Sequence, residues 1–279
     1  MTARPGPNEN VSDFSFDTTQ NGFSLVNALA CARASLLAYS SEPAIGETAS
    51  AWGFDKVKAI SNGSNDLIVL SRRDIVLVAF RGTDAFDDFR TNLNVLYRKS
   101  PLGFVHRGFM NAVNALWEEF VTVVRDFRDH DQRVWFTGHS LGGALAVLAS
   151  IKAQFESGIP VAGLYTFGQP PIGTTGFCMA FEKRCPYSLY RFINHTDAVS
   201  DVPMLTLLEH VGHVRYFDLA GTLHEGEPSF RMSLRDHWNA PRLHGGLADF
   251  KAHSMAGYVD LLAACLRLQQ PGTRDNLQS

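Results

Sequence analysis

The residues best equipped for chemistry lie in one run, Trp135-Phe136-Thr137-Gly138-His139-Ser140-Leu141-Gly142-Gly143-Ala144-Leu145-Ala146. It holds a Gly-x-Ser-x-Gly pattern where an extended stretch hands over to small residues suited to a helix, the context in which that pattern has meaning. So sharp a turn forces the serine into strained dihedrals and crowds the positions two before and two after it, where only Gly138 and Gly142 fit. The strain would hold the Ser140 hydroxyl above the carboxyl edge of a sheet, with the dipole and free amides of the following helix facing the same point. Such a hydroxyl is a nucleophile for acyl transfer. The amide of Leu141, next in the chain, is by geometry one donor to the oxyanion that forms.

A serine nucleophile needs a base and an acid. Imidazole suits the first role because near neutral pH it can take the serine proton and return it to a leaving alcohol. Of ten histidines in the chain, His253 comes last and precedes an apolar helical pattern near the C-terminus. His106, His139, His224, His237 and His244 read as structural or surface groups. The acid is expected after a later strand, between serine and histidine in chain order. The stretch Arg191 to Pro203 offers Asp197, which directly follows a predicted strand, and Asp201, an alternative more suited to facing solvent.

The elements around these residues follow from periodicity. Apolar residues at helical spacing mark a helix over Leu25–Tyr39. Extended runs at Lys56–Ser61 and Asp66–Ser71 are joined through Asn62-Gly63-Ser64-Asn65, a hairpin sequence. Ile75–Phe80 is almost continuously apolar, as a strand covered on both faces would be. Then come a helix over Gly108–Arg128, a strand at Arg133–Thr137, a helix over Leu141–Glu156 and strands at Val161–Phe167, Leu189–Ile193 and about Val214–Asp218, with a last helix near Gly246–Arg267. Strand alternating with helix predicts the α/β class: a mostly parallel central sheet with helices on both faces. Residues 1–20, rich in Pro, Asn, Ser and Thr, read as a loose arm, and 21–279 as a single domain.

A net charge of −3, from 25 basic and 28 acidic residues without long runs of either, gives no footprint for nucleic acid. No stretch has the roughly 20 apolar residues of a transmembrane helix, so membrane contact is expected to be peripheral. The polar N-terminus shows no secretory leader, which predicts an intracellular or processed chain. Cys31, Cys178, Cys185 and Cys265 lack zinc-site spacing, and neither metal nor organic cofactor is expected. Buried thiols are the plain reading, although Cys178 and Cys185 flank a short segment and could bridge.

Three ordered motifs carry a resemblance: Gly138 to Ala146, Ala79-Phe80-Arg81-Gly82-Thr83, and Val105-His106-Arg107-Gly108-Phe109. Together they resemble the class 3 lipases, the fungal triacylglycerol lipase-like α/β-hydrolases, from about Leu25 to the last helix. The resemblance implies that Thr83, after Arg-Gly, donates a second oxyanion hydrogen bond, with Arg81 a structural group beneath the loop. It implies Asp197 as the acid and His253 as the base, with His210 and His213 as fallback bases. Phe86, Phe89 and Leu93, followed by Leu96 or Tyr97, form an apolar stripe in a short amphipathic helix near 84–98. Its place after the oxyanion residue resembles the mobile lid of these lipases; the plain alternative is a packed surface helix. Pro203–Leu208 is apolar enough to line an acyl channel or to be core. The implied function is hydrolysis of glycerides or other fatty-acid esters at a lipid–water interface. A feruloyl or short-chain esterase and a non-catalytic interaction scaffold are the alternatives.

Overall fold

A computed structural model describes residues 14–20, 22–63, 65–83, 96–129, 132–195, 207–228 and 253–269. The described chain begins with α1 (Leu25–Leu37) and α2 (Glu42–Ala51), then β1 (Lys56–Ser61), β2 (Asp66–Arg72) and β3 (Ile75–Phe80). After a separate hairpin of β4 (Tyr97–Ser100) and β5 (Gly103–His106) come α3 (Arg107–Phe127), β6 (Val134–His139), α4 (Leu141–Glu156) and β7 (Val161–Phe167). The remaining elements are α5 (Thr175–Arg184), β8 (Ser188–Asn194), β9 (His213–Phe217), β10 (Leu223–Glu225) and α6 (Met255–Gln269). The main sheet has the order β1-β2-β3-β6-β7-β8-β9-β10. Strands β3, β6, β7, β8 and β9 are mutually parallel, with antiparallel β1 and β2 at one edge and β10 at the other. This is the α/β architecture that the alternation of patterns predicts.

The central strands are apolar throughout because both their faces are covered. Val76, Val78, Phe80 and Phe136 point into a core shared with Phe109, Val113 and Phe120 of α3 and the buried length of α4. Leu77, Ala79, Trp135, Tyr165 and Phe167 point the other way, against Ala28, Cys31 and Ala32 of α1 and Tyr258 and Leu262 of α6. Thr137 lies on this second face. Its hydroxyl is satisfied by donating to Tyr165 O at 2.7 Å, and it lies 2.9 Å from the hydroxyl of Ser35 on α1. Helix α3 is capped by His106, whose Nδ1 accepts from the amide of Phe109 at 3.4 Å. Burial, with Arg107 adding to it, holds the His106 imidazole below its ordinary pKa, which keeps the accepting nitrogen unprotonated.

Several expectations need correction. Part of the expected loose arm is anchored: Phe14 is buried and stacks on Trp52 at 4.9 Å, and Asn27 of α1 hydrogen-bonds both the amide and the carbonyl of Asp17. The helical stripe read through Tyr97 stops short, since Tyr97 opens β4 and pairs with His106. The plain reading of the cysteines, by contrast, stands: Cys178 and Cys185 are free thiols. The intervening segment is helical, so seven residues of rise separate them by about 10 Å, beyond disulfide reach.

Candidate functional site

The site is built at the carboxyl edge of the parallel strands. Strand β6 ends at His139, α4 begins at Leu141, and Ser140 between them has φ 56° and ψ −129°. A non-glycine residue with positive φ is strained by roughly 1–3 kcal/mol and persists only where its surroundings enforce it. Here the enforcement is visible. The Ser140 amide donates to Phe167 O on β7 at 2.9 Å, and Ser140 O accepts from Gly143 at 2.9 Å. A Cβ on Gly138 would lie 2.3 Å from Gly142 O, and one on Gly142 would lie 2.3 Å from Phe80 O. Both glycines of the motif are therefore steric requirements. The Ser140 side chain is buried, and its Oγ has no hydrogen-bond partner among the described residues.

Strand β3 is the parallel neighbour of β6, with Phe80 opposite Gly138, so the loop after it runs beside the elbow. A Cβ on Gly82 would sit 3.2 Å from the Ser140 Cβ and 2.6 Å from His139 O, which sets the Arg81-Gly82-Thr83 backbone against Ser140. Arg81 holds the base of this loop: its amide donates to Asp66 O at 3.0 Å and its guanidinium to Asp66 Oδ2 at 2.9 Å. This is the structural part expected of it. Leu141, the other expected donor, opens α4.

His253 reaches the same corner from the far end of the chain. Its ring centroid lies 4.6 Å from that of His139, the residue preceding Ser140, and its carbonyl accepts from His139 Nε2 at 2.6 Å. Ser254 caps the following helix, accepting from Gly257 at 3.4 Å. One turn into that helix, Tyr258 accepts from the amide of Asn194, the last residue of β8, at 3.1 Å. The helix bearing the candidate base is thus tied both to the elbow and to the strand that leads to Asp197. Asp197 and Asp201 themselves, the lid residues Phe86, Phe89 and Leu93, the apolar run 203–206, and His237 and His244 lie outside the described residues. His213 starts β9 and so stands at the opposite, amino edge of the sheet from Ser140, which removes it as a fallback base.

The class 3 lipase family model matches residues 77–207, which run from within β3 through the elbow and beyond β8. Over residues 77–207, just under half of the chain, the sequence is therefore similar to the class 3 lipases. The chain is 32% identical over 137 residues to a lipase of Rhizomucor miehei, covering 46% of this chain and 37% of that one. It is 29% identical over 172 residues to the chloroplastic phospholipase A(1) DAD1 of Arabidopsis thaliana, covering 53% and 38% respectively. It spans roughly two fifths of the length of these two relatives. In fold it is similar to the Rhizomucor miehei lipase in its propeptide complex, with a TM-score of 0.56 and 22% identity over 79% of this chain and 80% of that one.

Two residues of this lipase-like corner escape a reading of motifs. Tyr39, read from its spacing as part of a helix face, lies past the end of α1 with its hydroxyl 2.8 Å from His139 Nδ1. Gln169, buried after β7, lies against Gly143 and accepts from Thr166 at 2.8 Å. Its side-chain nitrogen is buried without a hydrogen-bond partner among the described residues. No spacing rule marks either one, because each reaches the elbow from a separate segment.

Proposed function

We propose that the chain is a serine carboxylic ester hydrolase acting on fatty-acid esters such as glycerides or phospholipids. In this reading Ser140 attacks the ester carbonyl while His253 takes its proton, and Asp197 orients the imidazole. The amides of Leu141 and Thr83 hold the oxyanion, each worth on the order of 3 kcal/mol to the transition state. His253 then passes the proton to the departing alcohol, leaving an acyl-Ser140 ester, which water activated by the same imidazole hydrolyses. The observation that carries this is the strained, buried Ser140 hydroxyl, without a partner among the described residues, with the His253 ring packed on the adjacent His139. Lipid as substrate class is supported by the family match and by relatives named as a lipase and a phospholipase A(1). Contact with a lipid–water interface, through a lid bearing Phe86, Phe89 and Leu93, belongs to the same proposal. Among the described residues no helix is long and apolar enough to cross a membrane.

A fluorophosphonate probe tests the chemistry: it should modify Ser140 in the parent and leave Ser140→Ala unlabelled. Labelling elsewhere, with ester cleavage intact in the variant, would discard the assignment. The substrate class is tested by following rate against ester concentration through the solubility limit. A jump on emulsification supports a lipase, whereas saturation below that limit with short acyl chains supports a short-chain or feruloyl esterase.

A further inference from the structure

The Tyr39 hydroxyl touches two parts of the corner that the reaction would need in fixed register. It lies 2.8 Å from His139 Nδ1 and only 2.2 Å from where a Cβ on Gly82 would be, so it is wedged against the oxyanion loop. The Arg81 guanidinium lies over its ring, 5.5 Å from the centroid. On its other side His139 bonds the carbonyl of His253 at 2.6 Å. A carbonyl oxygen only accepts, so His139 Nε2 carries the hydrogen, and in the neutral ring Nδ1 is left to accept from the Tyr39 hydroxyl. The phenol therefore selects the imidazole tautomer that grips the backbone of the base-bearing turn.

We propose that Tyr39 and His139 are positioning residues, a Tyr39→His139→His253 hydrogen-bond relay that fixes the His253 turn relative to the oxyanion loop at Gly82. The inference rests on the assignment of Ser140 and His253 above. The relay acts through the His253 main chain and not through its ring, and neither Tyr39 nor His139 exchanges a proton with substrate. Its importance follows from distance tolerance: an error of about 1 Å in a reacting group can lower a rate by about 100-fold. The hydroxyl that prevents such an error belongs to a residue some hundred positions before the serine in sequence.

The test is steady-state hydrolysis of a soluble p-nitrophenyl ester, with kcat expressed per Ser140 titrated by fluorophosphonate, so that misfolded protein does not count. Tyr39→Phe keeps the ring beside Arg81 and loses only the hydroxyl; it should lower kcat about 10-fold and leave KM within about 2-fold. His139→Gln retains an amide donor for the His253 carbonyl and should keep more than about a third of the parent kcat, whereas His139→Leu should lose about 100-fold. A purely structural role would change the melting temperature and the titratable fraction but not kcat per titrated site. An unchanged kcat in Tyr39→Phe, or equal rates in His139→Gln and His139→Leu, overturns the relay while leaving the hydrolase reading intact. A parent chain that neither labels nor turns over overturns both. If His139→Leu does not fold, Tyr39→Phe decides alone.

Discussion

Two corners on the same edge of the sheet each bring a histidine close to a hydrogen-bonding partner, and they do so to opposite ends. Beyond β9, Asp218 accepts from the amides of Ala220 at 3.0 Å and Thr222 at 2.9 Å, and His224 Nε2 on β10 lies 3.0 Å from its second oxygen. Burial would raise the Asp218 carboxyl, but His224 and the turn amides outweigh it and hold its pKa below the ordinary value. These three partners are all local in sequence. At the elbow the serine hydroxyl has no partner among the described residues and sits in a strained backbone, and the groups around it come from segments next to α1, β3, β7 and α6. The sheet order places the two corners three strands apart, about 14 Å. Polar groups satisfied within a turn stabilise that turn, while a reactive group is held in place by its surroundings and kept unsatisfied.

The sharpest way to break this contrast is to remove each histidine. His253→Ala should lower kcat by about 10⁴-fold or more, as loss of a base does in a serine hydrolase, while His224→Ala should leave it within about 2-fold. Soluble-ester kinetics on the two variants check this, and a similar loss in both would mean that the second corner belongs to the reaction. Next in size is the steric claim. Gly142→Ala drives a methyl into Phe80 O and should destabilise the protein by about 2–4 kcal/mol, read from urea unfolding, whereas Gly158→Ala meets nothing within 4 Å and should be limited to its positive-φ strain, about 1 kcal/mol. The smallest effect concerns pH. Because the folded pKa of Asp218 is depressed, its contribution is present above the unfolded value near 4 and is lost as pH falls through the folded one. Asp218→Asn should therefore flatten the acid side of the stability profile below about pH 4, without altering hydrolysis at neutral pH.

Much of this was readable in advance where local pattern and tertiary demand agree. Strand β3, helix α4 and strand β7 have the bounds their apolar runs imply, because strands buried on both faces and a helix buried nearly all round leave little room for other residues; β1, where only Ile60 is buried, owes its bounds to the hairpin sequence that follows it. Helix α2 left no such trace: only Ile45 and Ala49 are buried, too few to set a period. The hairpin β4–β5 has strands of four residues, and Tyr97 happened to continue a helical spacing. Phe14 is held by Trp52 and Phe54, contacts that no local rule encodes. Likewise Ser140 and Leu141 could be singled out from one pentapeptide and its flanks, but Tyr39 acquires its place only when α1 is laid against β6.

The bare approach of Gly142 to Phe80 O and of Gly82 to His139 O means that no side chain separates the two loops at either contact. They cannot slide past each other or swing independently, so the amides of Leu141 and Thr83 should present a jaw of fixed gape. A chain engineered with one extra residue between Phe80 and Thr83 would lose that gape even if every side chain named here were kept.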